Sequence, residues 1–136
     1  MTASGWRGMG VAALIGVSAA HAGEVVIEKA VFTKTGSHWR VSVTLRHADT
    51  GWDHYADQWR LVDGQGRVLA TRVLYHPHVD EQPFTRSQNE VVLPAGLSTV
   101  FIEARDTVHG WAKERLTVDL TRPVGERYEV HGPGER

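Results

Sequence analysis

Apolar and polar residues alternate along most of the chain beyond residue 23. In "SHWRVSVTLRH", Trp39, Val41, Val43 and Leu45 share one face, and Arg40, Ser42, Thr44 and Arg46 the other. In "STVFIEARD", Val100, Ile102 and Ala104 oppose Glu103 and Arg105. In "ERLTVDL", Leu116, Val118 and Leu120 oppose Arg115, Thr117 and Asp119. A period of two is that of a strand with one buried face. No segment past the first residues carries a 3.6-residue period. The pattern predicts seven strands: 24–33, 38–47, 57–63, 67–75, 90–93, 98–106 and 114–120. Turn chemistry separates them, with "TGS" at 35–37, "DGQG" at 63–66 and "PAG" at 94–96. Short strands with turns at close intervals predict an all-β antiparallel sandwich.

The number and spacing of these strands, with Trp59 on the third, resemble the immunoglobulin and fibronectin type III sandwiches. That resemblance implies a seven-stranded fold. Domain organisation follows from the ends. "MGVAALIGVSAA" is a short apolar run, and "AHA" at 20–22 has the small-x-small form of a cleavage site. Residues 1–22 therefore read as a secretory signal peptide, with Gly23 as the mature start. The run is shorter than the roughly 20 residues that span a bilayer, which predicts no membrane insertion after cleavage. No cysteine follows the small residues, so lipid attachment there is not expected. The sandwich is expected over 23–121. Residues 122–136, rich in Pro, Gly and charge, read as a flexible tail. The predicted location is outside the cytoplasm, in the periplasm.

Charge and cysteine usage narrow the chemistry. The net charge is −1, which argues against nucleic acid as a partner. With no cysteine in the chain, packing alone must hold an exported domain, and thiolate chemistry is excluded.

Topology gathers the unusual segments. If the second strand runs up, the connections 47–56, 76–89 and 107–113 all fall at one end of the sandwich, opposite the short turns. Five of the seven histidines after residue 23 lie in them: His47, His54, His76, His78 and His109. His47 continues the inward phase of Leu45, and Asp106 that of Ala104, so the two should meet at the rim. The pair reads either as a metal ligand with its orienting carboxylate or as a hydrogen bond that closes the core. In "HPH", His76 and His78 project to one side when extended, a weak H-x-H motif for Zn²⁺ or Cu²⁺.

The expected metal ligands are thus His47, His76, His78 and His109, with His54 in reserve. Asp106 would support them, with Asp49, Asp57, Glu81, Arg86, Trp52 and Trp111 lining the same loops. "DTGW" and "DTVHGW" echo each other, with Asp49 and Asp106 as turn caps and Trp52 and Trp111 as loop anchors or pocket walls. "EQPFTRS" at 81–87 reads as a loop anchored by Phe84, with Glu81 and Arg86 free to pair. No G-x-S-x-G, H-E-x-x-H or phosphate-cradling loop is present, so a binding module is expected rather than an enzyme. Its ligand would be Cu²⁺ or Zn²⁺, or else a protein or glycan.

"LRHADTGWDHYAD" and "HPHVDEQPFTRS" resemble signature segments of a family of small exported bacterial proteins, a resemblance that brings no activity with it. The small sandwich with histidine and aspartate is also similar to exported copper carriers of the CopC-like type. Those carriers imply an N-terminal ligand histidine, where this chain has Gly23.

Overall fold

The computed structural model describes residues 23–132. The signal peptide expected over 1–22 lies outside them. Ten strands form two sheets: β1 (Val26–Thr35), β2 (His38–Arg46), β3 (Ala56–Val62), β4 (Val68–Val73), β5 (Phe84–Val91), β6 (Thr99–Asp106), β7 (Gly110–Trp111), β8 (Leu116–Asp119), β9 (Val124–Gly125) and β10 (Tyr128–His131). Among the described residues there is no helix. One sheet has the order β5-β2-β1-β10-β9; the other has β4-β3-β6-β7, with β8 also paired to β6. All pairings are antiparallel except β1 with β10. The fold is a β-sandwich of ten strands rather than the expected seven.

Alternation in the sequence becomes alternation in burial. Along β2, Trp39, Val41, Val43 and Leu45 are buried; along β6, Val100, Ile102, Ala104 and Asp106 are. The two inner faces meet in one core that includes Phe32, Val41, Trp59, Leu61, Phe84 and Ile102. β1 is less cleanly phased because a bulge between Ile27 and Lys29 shifts its register against β2. The buried set moves there from Val25 and Ile27 to Ala30 and Phe32, as one extra residue in a strand requires. At 63–66, Asp63 Oδ1 accepts the N–H groups of Gln65 and Arg67, and Gly66 takes φ 84°.

Two segments differ from the sequence expectation. The strand expected at 90–93 is β5, which begins at Phe84 and takes in most of the supposed "EQPFTRS" loop. Its sequence hides it because its interior is polar. Instead of apolar contacts it makes cross-strand polar ones: Ser42 to Ser87 at 2.7 Å, Thr44 to Thr85 at 2.7 Å, and Arg40 Nη1 to Asn89 Oδ1 at 2.7 Å. Such pairs are an established source of sheet stability.

The supposed flexible tail supplies β9 and β10, and Tyr128 and Val130 are buried. Tyr128 lies opposite Gly125 and its ring covers that glycine. A methyl group at Gly125 would come within 2.1 Å of the ring. Gly125→Ala is therefore expected to destabilise the fold by about 1–3 kcal/mol through overpacking. Val124→Ala, at a neighbouring exposed position, should stay within about 0.5 kcal/mol of the parent. Chemical denaturation of both variants checks this; equal stabilities would disprove the packing account.

The three long connections do meet at one end. Thr107 N donates to Tyr55 O at 3.0 Å, His47 N to Gln82 Oε1 at 3.0 Å, and His78 N to Asp49 Oδ2 at 2.7 Å.

Candidate metal centre

Each member of the site is placed by the strand or turn that carries it. His47 follows β2 in the inward phase and Asp106 ends β6 in the inward phase; both are buried. His54 is turned back over them by a tight reversal. Thr50 N donates to His54 O and His54 N to Gly51 O, with Gly51 at φ 141°. That φ lies in a region that side chains rarely adopt. One donor atom from each of His47, His54 and Asp106 falls within 4.8 Å of the others.

Asp106 is fully buried and heavily used. Its Oδ1 accepts the backbone N–H groups of Val108 (2.8 Å) and His109 (2.7 Å). The His54 Nε2 and His109 Nδ1 atoms each lie 3.1 Å from the same oxygen. Burial pushes the Asp106 carboxyl up, but the N–H groups of His109 and Val108 and the His109 ring outweigh it and hold it below the usual carboxylate range.

His47 is held by a second carboxylate. Its Nδ1 lies 2.6 Å from Asp49 Oδ1, which also accepts Ala56 N, while Asp49 Oδ2 accepts His78 N. A carboxylate on one ring nitrogen fixes the tautomer and directs the other nitrogen outward. That other nitrogen, Nε2, faces Gly23 O at 2.8 Å and Asp106 Oδ2 at 3.7 Å. Both nitrogens therefore face oxygen, whereas a neutral imidazole carries one N–H. With Nδ1–H given to Asp49, the Nε2 edge faces the Gly23 carbonyl and the Asp106 carboxylate.

The donor set fits a divalent transition metal: two imidazoles and a carboxylate, with coordination positions left over. Tetrahedral bonds of about 2.0–2.1 Å would bring donor atoms to about 3.3 Å from each other. The separations of His54 Nε2 from Asp106 Oδ1, 3.1 Å, and of His47 Nε2 from Asp106 Oδ2, 3.7 Å, are already close to that value. His54, partly exposed on its loop, is the most exposed of the three.

His109 stands at the edge of this group, its ring centroid 5.0 Å from that of His54. His76 and His78 belong elsewhere, against expectation. Their rings do lie on one side, 4.7 Å apart. But His78 stacks on Phe84 at 4.0 Å, and Arg86 Nη2 donates to its Nε2 at 2.9 Å. Burial, then the Arg86 and His76 charges, hold the His78 pKa below its ordinary value. Arg86 also pairs with Glu81 at 3.2 Å, and this hydrogen bond lowers the Glu81 carboxyl. His78 Nε2 is thus taken by a guanidinium, while its buried Nδ1 has no hydrogen-bond partner.

The remaining residues scatter. Asp57 on β3 faces Arg105 at 3.3 Å, and burial raises its pKa. Trp52 is 68% exposed and sits edge-on to Tyr55 with centroids 5.6 Å apart. Trp111, expected over the sandwich end, pairs with Arg105 on β6 and lies under the Arg60 guanidinium at 3.7 Å. The sequence reads Asp49 both as a turn cap and as part of the loop site; the structure adds its contact with the His47 ring. The signal for it was the Asp-Thr repeat, since both Asp49 and Asp106 accept backbone N–H groups beside a histidine. Gly23 was missed as a neighbour of the group.

The chain is similar to a protein of Halomicrobium mukohataei described as "Putative lipoprotein", with 35% identity over 108 residues, which is 79% of this chain and 52% of the relative. The chain thus spans about half the length of that relative. No family model matches the chain, and no solved structure does. Neither comparison supports the likeness to copper carriers.

Proposed function

We propose that this protein is an exported binding protein for a divalent transition metal, Cu²⁺ or Zn²⁺, held by His47, His54 and Asp106. The carrying observation is the His47 ring, with Asp49 fixing one nitrogen and the other aimed at a buried carboxylate and a carbonyl. Export rests on the leader-like first 22 residues and on the description of the relative as a lipoprotein. The pairing of β5-β2-β1 against β4-β3-β6-β8 also suits an immunoglobulin-like reading of the sandwich.

Titration of metal-free protein beginning at Gly23 is expected to give one site with a Kd below roughly 1 μM. His47→Ala and His54→Ala should each weaken it by more than about 100-fold, beyond the roughly 10–100-fold that loss of a supporting group costs. The His76→Ala/His78→Ala double variant should bind normally. Binding requires neutral imidazole, so affinity should fall as pH drops from 7 towards 5. Asp106, held below the usual carboxylate range, stays ionised over that interval and does not contribute to the fall. No binding by calorimetry, or equal binding by the His47 variant, would refute the assignment.

A second reading has its own observation. Trp52, Tyr75, Val79 and Val108 are all exposed, and all lie in or beside the same three connections. Exposed apolar side chains gathered at one end suit a protein or glycan ligand. Elemental analysis of untagged protein separates the two, because near-stoichiometric metal favours the first.

A further inference from the structure

The position of Gly23 links the sequence signal for cleavage to the histidine group. "AHA" ends at Ala22, and the next residue is built into the site. Gly23 O lies 2.8 Å from His47 Nε2. A methyl group on its Cα would come within 2.7 Å of His109 Cε1 and 3.1 Å of His109 Nε2. The next residues hold Gly23 there: Glu24 Oε1 accepts Lys113 N at 3.1 Å, and Val25 is buried in the core. A residue that merely followed a cleavage site would need neither the packing against His109 nor the carbonyl contact to His47.

We propose that cleavage after Ala22 completes the metal centre, with the new α-amino group of Gly23 as a further nitrogen donor beside His47, His54 and Asp106. Standard backbone dimensions place the Gly23 nitrogen no more than about 6.5 Å from His47 Nε2. In the uncleaved chain that nitrogen is an amide, whose lone pair is delocalised into the carbonyl. In the cleaved chain it is an amine, whose localised lone pair can be offered to a metal ion. The amine nitrogen and carbonyl oxygen of one residue also close a five-membered ring with a metal. Cleavage thus converts a non-ligand into a ligand, and high affinity appears only in the processed protein. This inference rests on the metal-binding reading above.

Three folded forms test it: protein beginning at Gly23, the same protein acetylated at Gly23, and protein carrying an alanine dipeptide before Gly23 in place of the leader. Each is titrated with Cu²⁺ and with Zn²⁺. The form with a free Gly23 amine should bind at least about tenfold more tightly than the other two, the scale on which a supporting group acts. Its Cu²⁺ spectrum should change on ¹⁵N labelling of glycine, and the acetylated form's should not. Equal affinities for the three forms, within twofold, would overturn the inference and leave the His47, His54 and Asp106 site standing. Absence of binding in all three would overturn both. Mass spectrometry of exported protein should give a chain starting at Gly23; a different start would also overturn the inference.

Discussion

Asp106→Ala is expected to abolish metal binding and to lower the stability of the metal-free protein by about 3–5 kcal/mol, the scale set by breaking a buried charged network. The carboxylate is fully buried and accepts two backbone N–H groups, from Val108 and His109. Alanine leaves both donors without a partner in a part-buried turn, at about 1–3 kcal/mol each. It also removes the group on which the His54 and His109 rings converge. Asp106→Asn separates the two roles. An amide oxygen can still accept from the turn, so the stability loss should shrink to about 1–2 kcal/mol, nearer that of a single altered hydrogen bond. The negative charge is gone, so metal affinity should stay lost. The folded-state pKa of Asp106 is depressed. Its contribution is therefore fully present above the unfolded carboxylate value near 3.9 and lost as pH falls through the lower folded value. The gap between wild type and Asp106→Asn in urea denaturation should hold from pH 7 to 5 and close in stronger acid. A gap that widened in acid would contradict this account.

How far the site could be read from sequence depended on phase. His47 and Asp106 were legible because each extends a strand of strict alternation by one step, and a strand end that keeps its phase keeps its face. The contact predicted for them is the 3.7 Å approach of His47 Nε2 to Asp106 Oδ2. His76 and His78 show the limit. Their i, i+2 geometry does put the two rings together. Arg86, which donates to His78 Nε2, falls in the segment that the sequence reads as a loop. Because β5 is polar between Phe84 and Val91, its alternation carries no apolar signal, and the guanidinium on it could not be placed. The role of Asp49 was hidden for another reason. An aspartate two residues past a histidine looks like turn chemistry until tertiary contact brings Ala56 N and His78 N to it.

The C-terminal strands were hidden by composition. Proline, glycine and charge in "TRPVGERYEVHG" suggest disorder, yet Tyr128 and Val130 alternate with Glu129 and His131 as a strand should. What their short period could not reveal was the partner. β10 pairs in parallel with β1, Ala30 to Tyr128 through Thr33 to His131, nearly a hundred residues away.

Ending the chain after Thr121 is therefore expected to cost a large part of the protein's stability, whereas removal of a flexible tail would cost none. Truncation uncovers one side of β1 along Ala30–Thr33. It removes buried Tyr128 and Val130, worth about 1.5–3 kcal/mol for each large apolar side chain. It also removes the Arg127 Nη1 donation to Ile27 O at 2.6 Å and leaves Ala30 N without its acceptor, Arg127 O. The exposed ion pair Lys29–Glu129 adds little. The expected loss is about 3–6 kcal/mol, against the 5–15 kcal/mol typical of a whole domain. The truncated protein should melt at much lower temperature and tend to aggregate, since β1 becomes an unprotected edge. Tyr128→Ala in the full-length chain should reproduce about half of the loss while keeping the strand pairing. Backbone amides of β1 that face β10 should exchange faster with solvent in the truncated form than in the Tyr128 variant. A truncated protein within about 1 kcal/mol of the parent would mean that the packing of β10 on β1 carries no net stability, because ordering the strand would then cost as much as its burial returns.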